Sequence, residues 1–160
     1  MQILRALGFG LLVLVGLGVV AVVLAPQSDG PMGPLPGGPL QSGTPNRGAV
    51  ADWSFAADEE TIELQLVSQD RSRTTWILVR DGAGYIPCSL GFPPGKSWHQ
   101  HALRSGDARI RIDGRIYAVR LEKIESEVLS ARLVVDLADK YDSTPPGDAG
   151  IWFFRLHDAE

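Results

Sequence analysis

Residues 71–90 read RSRTTWILVRDGAGYIPCSL. Within this stretch Thr74–Arg80 (TTWILVR) is rich in β-branched and aromatic residues, the composition of a strand. It meets Asp81-Gly82-Ala83-Gly84, whose Asp-Gly pair suits a tight turn with left-handed backbone, and Tyr85–Ser89 returns. The unit is a hairpin. A second hairpin follows in Ala108–Ile112 and Arg115–Ile124, joined at Asp113-Gly114, with Ile110, Ile112, Ile116, Tyr117, Val119 and Leu121 as its apolar positions. Thr61–Val67 (TIELQLV) alternates apolar and polar residues upstream, as a strand with one buried face does. Ile151–Leu156 (IWFFRL) closes the chain as a last strand.

Helical spacing appears twice. Ser97–Arg104 is short, with Ser97 placed to cap it. Glu125–Tyr141 is longer, capped near Ser126, and repeats Val128, Leu129, Leu133, Val134 and Leu137 at helical intervals. Asp142-Ser143-Thr144-Pro145-Pro146-Gly147 breaks it. Hairpins interrupted by two helices predict a mainly β (α+β) domain, a small antiparallel barrel with the helices packed outside.

The N-terminus is of a different kind. Ile3–Leu24 carries one charge, Arg5. About 22 residues make a helix of roughly 33 Å, enough for a hydrocarbon core of about 30 Å. A cleaved signal peptide is the rival, but Pro26 would directly follow the cut and the apolar run is long for a signal core. Residues 1–25 are therefore expected to be a single-pass membrane anchor. No Lys or Arg recurs until Arg47, so the N-terminus is expected in the cytoplasm and the C-terminal domain outside it, periplasmic or extracellular. Residues 26–48, dominated by Pro and Gly without aromatics, read as a flexible linker spanning roughly 27 Å, leaving 49–160 as the folded domain. Cys88 is the one cysteine, so no internal disulfide staples that domain.

The run from Arg71 to Ile124 resembles the split-barrel flavin- and deazaflavin-binding proteins, closest to the deazaflavin-dependent nitroreductase or quinone reductase group. The matching residues are Arg73-Thr74-Thr75, Asp81-Gly82, Tyr85, Ser89, Gly91, Pro94, Trp98, Leu103 and Gly114 with Tyr117. The resemblance implies a split barrel, a deazaflavin or flavin mononucleotide (FMN) cofactor, a quinone-like substrate and pairing as a homodimer. Its cofactor-binding residues would be Arg71, Arg73, Thr74, Thr75, Ser89, Gly91, Lys96 and Trp98. Arg71 and Arg73 would meet an anionic tail, since guanidinium binds phosphate through paired donors. Ser89, Gly91 and Lys96 would line a loop over it, and Trp98 would flank the ring. Without function, the arginines are solvated edge charges and Trp98 is core. Where the family has a Gly-Arg-Lys-x-Gly turn, this chain reads Ser68-Gln69-Asp70-Arg71-Ser72, and Trp76 stands where Pro is common. These departures leave open a domain with the same fold and no cofactor, one that binds a partner protein or a small apolar ligand.

Other chemistries find less support. His99 and His101 diverge on a helix, and no third metal ligand stands near them. Cys88 and Ser89 lack a nucleophile-elbow motif. Leaving out Arg5, Arg47 and Asp29, the chain from Ala49 onward has 13 basic and 18 acidic residues, unlike a nucleic-acid binder.

Overall fold

The structure, a computed structural model, describes residues 2–142 and 150–159. Its elements are α1 (Gln2–Leu24), β1 (Thr44–Pro45), β2 (Thr61–Leu66), β3 (Ser72–Trp76), β4 (Leu78–Arg80), β5 (Ala83–Ser89), α2 (Trp98–Arg104), β6 (Asp107–Ile112), β7 (Arg115–Lys123), α3 (Glu127–Tyr141) and β8 (Ile151–Asp158). The strands form one sheet in the order β3-β2-β6-β7-β8-β5-β4, every pairing antiparallel, while β1 lies parallel beside the start of β7. This is a split barrel, with α2 and α3 as the two expected flanking helices and the apolar α1 ahead of it.

Both Asp-Gly turns form as expected. Asp81 and Gly82 have φ of 50° and 73°, and Asp113 and Gly114 have 48° and 72°, the paired left-handed conformation whose twist matches the strands it joins. Alternation then sorts side chains to the two faces. Ile86 stands opposite Phe154, and Leu64 opposite Ile110, and all four are sealed inside the barrel. Their neighbours Leu78, Tyr85 and Phe153 point outward and pack against Leu133 and Leu137 of α3. Ser126 caps α3, accepting a hydrogen bond from Leu129 N–H at 3.3 Å. The helix stops at Asp142, φ 44°; the breaker residues 143–147 lie outside the described residues.

The expected single strand Thr74–Arg80 is two strands. It breaks at Ile77, which has no partner in the sheet. β3 and β4 are the two ends of the sheet order yet follow each other in the chain, so Ile77 is where the sheet closes on itself. Its side chain is fully buried in the barrel. Its backbone is satisfied from α3. The Tyr141 hydroxyl accepts from Ile77 N–H at 3.1 Å and lies within donating distance of the carbonyls of Ile77 (2.8 Å) and Glu60 (2.7 Å). Lys140 Nζ donates to the carbonyls of Ile77 (3.0 Å) and Glu59 (2.7 Å). Trp76 stacks on Tyr141, ring centroids 4.3 Å apart and planes within 10°.

The stretch 26–48 departs from the expected free coil. It lies on the outer wall as a strap. Leu40 is 1% exposed, and its N–H donates to Gln65 Oε1 at 2.9 Å. Gly37 and Ser72 exchange backbone hydrogen bonds at 3.0 and 3.2 Å, and the Ser72 hydroxyl donates to Gly38 O. Arg111 ties the strap to the sheet. It reaches Asp29 Oδ2 at 3.0 Å and Ser42 O at 2.9 Å while also pairing with Glu63. Composition misled because glycine serves here for close backbone approach, not disorder: a Cβ on Gly37 would sit 1.7 Å from Gly30 O, and one on Gly38 2.4 Å from Ser28 O. β1 is part of the same strap.

α1 is the one described helix long and apolar enough to cross a membrane, and from Gly10 onward its side chains are almost all exposed. That fits an anchor or a signal sequence alike.

Two outcomes test this architecture. Tyr141→Phe strands a buried N–H and is expected to destabilise the barrel by about 1–3 kcal/mol in denaturant unfolding, with the Trp76 stack kept. The strap should loosen in acid. Burial opposes ionisation of Asp29, but hydrogen bonds from the Ser42 hydroxyl, Gln41 N–H and Arg111 outweigh it and hold the carboxyl well below the usual range. A depressed pKa stabilises fully above the unfolded value of about 4 and is lost as pH falls below it. Protection of the Gly37, Gly38 and Leu40 amides, measured against their intrinsic exchange rates at each pH, should therefore fall below about pH 4, and Arg111→Ala should show that reduced protection already at neutral pH.

Candidate functional site

The register of β3 decides which candidate side chains can meet. Arg73 stands opposite Leu64, and Thr75 opposite Ile62, so both point to the barrel interior. Ser72, Thr74 and Trp76 point outward. Thr74 is engaged there: its hydroxyl donates to Gly33 O of the strap at 2.8 Å. Arg71 lies before the strand and is exposed. On β5, Cys88 pairs with Trp152 on the inward face, two residues along from Ile86 and Phe154. Ser89 therefore faces outward, its Oγ buried without a hydrogen-bond partner among the described residues. Gly91 is exposed in the loop that follows, and Lys96 in that loop donates to Phe92 O.

The structure thus gathers Arg73, Lys96 and Trp98 of the expected set around Cys88, His99 and Trp152. Thr75 shares their face, while Arg71, Thr74, Ser89 and Gly91 lie elsewhere. Trp98 opens α2 and turns into the barrel core, 6% exposed, its ring 5.4 Å from that of Phe154. The Arg73 guanidinium lies over the Trp98 ring at 5.5 Å, a cation–π arrangement. One Nη of Arg73 donates to Gln69 Oε1 at 3.2 Å, but its buried Nε has no partner among the described residues. His99 is 8% exposed, sets its edge against Trp152 at 5.4 Å, and leaves Nδ1 unpartnered. Lys123 covers the Trp152 ring at 4.8 Å. His99, Trp152 and Lys123 were absent from the expected cofactor site. Nothing in the IWFFRL pattern says that Trp152 ends beside α2; only the β5–β8 register does.

Burial and mutual charge set the titration of this group. Burial pushes Arg73 down to about 10, partly countered by Cys88, so the guanidinium stays charged at neutral pH. Burial pushes the Cys88 thiol up to about 11, against the pull of Lys96 and Arg73. Lys96 and His99 are both lowered by burial, His99 also by the Lys96 charge. The group therefore holds fixed positive charge, a neutral imidazole and a protonated thiol against an aromatic floor. Among the described residues no three His, Cys, Asp or Glu side chains converge as metal ligands do.

Two shallow hollows lie elsewhere. One of about 200 Å³ is lined by Trp53, Asp81, Arg155, His157 and Asp158. One of about 440 Å³ lies between strap and sheet, against Pro31, Gly33, Glu63, Thr74, Arg111 and Asp113.

Solved structures similar to this chain include three of the split-barrel kind. A candidate pyridoxamine 5′-phosphate oxidase of Listeria innocua superposes with a TM-score of 0.50 at 15% identity, over 67% of this chain and 91% of that one. A candidate general stress protein 26 of Jannaschia sp. gives 0.49 at 16%, over 67% and 71%. A candidate pyridoxamine 5′-phosphate oxidase of Corynebacterium glutamicum gives 0.43 at 12%, over 67% and 85%. No protein-family model matches the sequence, and no curated protein matches it significantly. At such identities the likeness speaks for the fold alone, and the first structure carries it.

The raised thiol gives a direct check. Cys88 should resist alkylation at pH 8 in the folded protein and react at an ordinary rate once the chain is unfolded, because only the thiolate attacks.

Proposed function

We propose that this chain is an exported, membrane-tethered split-barrel protein that binds a flavin-type cofactor, FMN or deazaflavin, at the Arg73–Lys96–Trp98 end of the barrel. It would act as an oxidoreductase on a quinone-like molecule near the bilayer. In this reading residues 1–25 are an uncleaved anchor with the N-terminus in the cytoplasm, 26–48 the strap, and 49–160 the barrel.

The observation that carries the cofactor is Arg73. It is an inward, half-buried guanidinium on an aromatic face, sharing Cys88 as a neighbour with Lys96, with an unpartnered Nε and no acidic partner among the described residues. A buried cation is costly unless an anion meets it. A phosphate would do so through paired donors, and the partly exposed Trp152 offers aromatic surface for a ring. When bound, a flavin supplies hydride chemistry, and the protein supplies orientation and charge. Split-barrel architecture, shared with the Listeria structure described as a candidate pyridoxamine 5′-phosphate oxidase, supports the same reading.

A second reading is a module without cofactor that binds a partner protein or small apolar ligand. It is favoured by the position of Trp98, which is core, and by Thr74, which is committed to the strap.

Fluorescence titration of the full chain in detergent with FMN and with a deazaflavin separates the two. Micromolar binding is expected, weakened about tenfold or more by Arg73→Gln, the loss of one charge-assisted contact. A folded protein that binds neither compound leaves the second reading.

A further inference from the structure

Residues 6–46 contain one ionisable side chain, Asp29, and it is paired with Arg111 at 3.0 Å. Within that stretch Pro31–Leu40 reads PMGPLPGGPL, without a single polar side chain. It folds back on itself. Met32 and Leu35 exchange both backbone hydrogen bonds at 3.1 Å, and Gly38 N–H donates to Ser28 O at 3.1 Å. One side of this hairpin rests on the barrel through Thr74 and Ser72. The other shows apolar groups to solvent: Met32 is 45% exposed, and Pro34 and Pro36 are exposed beside it.

The hairpin begins very close to the apolar helix. Only Ala25-Pro26-Gln27 separate Leu24, the end of α1, from Ser28 at its base. Those three residues form a 3-10 turn closed by Ser28, whose N–H and hydroxyl reach Ala25 O at 3.1 and 2.6 Å, and Ala25 is 2% exposed. No free segment lies between helix and barrel. The four residue-to-residue steps from Ser28 to Met32 span at most roughly 14 Å, of the same order as the headgroup layer, which adds roughly 5–8 Å to each side of the hydrocarbon core.

We propose that the Pro31–Pro36 tip is a second membrane contact, resting in the headgroup layer of the bilayer that α1 spans and fixing which side of the barrel faces it. The proposal rests on the reading of α1 as an anchor. A tip of Pro, Met, Gly and Leu has no charge to desolvate, and exposed apolar side chains beside a membrane span gain by entering the interface. Charges beside it are of both signs, with Arg111 against Glu59, Glu63 and Asp113 in the adjoining hollow, so the contact is apolar and insensitive to salt.

The test uses the full chain in phosphatidylcholine vesicles, with Cys88→Ala removing the native thiol and a polarity-sensitive fluorophore on Met32→Cys, or on Glu125→Cys as reference. The label at 32 should be quenched several-fold more than that at 125 by lipids carrying a quencher at headgroup depth, with no change at high salt. Quenching at 32 by aqueous iodide as strong as at 125, without lipid quenching, overturns the proposal. Flotation reads the anchor separately. Protein that fails to float with the vesicles overturns the anchor and this contact together, whereas protein that floats with a water-exposed label overturns the contact alone. Should Cys88→Ala misfold, the native chain can be photo-crosslinked to a phosphatidylcholine bearing a headgroup-depth carbene precursor. Labelling of residues 31–36 is expected, and labelling confined to α1 overturns the proposal.

Discussion

The barrel depends on how one residue is held. Ile77 separates the two ends of the sheet, and no strand pairs with it. A buried backbone N–H and C=O left alone would each cost about as much as a lost hydrogen bond, roughly 1–3 kcal/mol. Tyr141 and Lys140 meet both groups from the last turn of α3. The helix thus does more than cover apolar surface. It supplies, by side chains, the bonds that a closed ladder would have supplied by backbone. The Trp76–Tyr141 stack fixes the ring that carries the hydroxyl, so packing and hydrogen bonding reinforce each other at the seam.

That seam shows where sequence reading stops. Period-two alternation and the Asp-Gly turns were legible because they are local: the backbone of Asp81-Gly82 and Asp113-Gly114 follows from residue type. The same alternation across Thr74–Arg80 hides the break at Ile77, since a residue that leaves one strand and enters the next keeps its side chain inward. Lys140 and Tyr141 read only as the end of a helix. Their partners lie more than sixty residues away, and no local pattern announces them.

The strap illustrates the opposite failure. Pro- and Gly-rich composition is the usual mark of chain that cannot offset its ordering entropy. Here Leu40 is buried, Asp29 is ion-paired, and backbone approaches of Gly37 and Gly38 exclude any Cβ, so the same composition permits docking. The clue present in the sequence was the isolation of Asp29: a lone acid in a long neutral stretch calls for a partner, and Arg111 is it. The candidate site was legible to a similar, partial extent. Arg73 and Trp98 meet because strand parity and the start of α2 bring them together, and Lys96 comes in beside Cys88 and His99 from the loop before α2. The same parity turns Ser89 away from Cys88 and commits Thr74 to the strap. Trp152 joins the group through a register that only the folded sheet defines.

Docking of the strap changes what a tether does. A free coil of that length would let the barrel sample every orientation within roughly 27 Å of the helix end. With the strap bound along β2, β3 and β6 and joined to α1 by three ordered residues, that freedom is removed, and Arg111 becomes the residue that transmits the helix's position to the sheet. If α1 spans a bilayer, as proposed, the Arg73 end of the barrel then holds a set direction relative to it. A ligand drawn from the membrane would meet one presented surface, not a tumbling domain. The gain is one of orientation: a partner confined to two dimensions encounters a site more productively when the site does not rotate away between encounters, because the ordering cost is met in folding and not at each binding event.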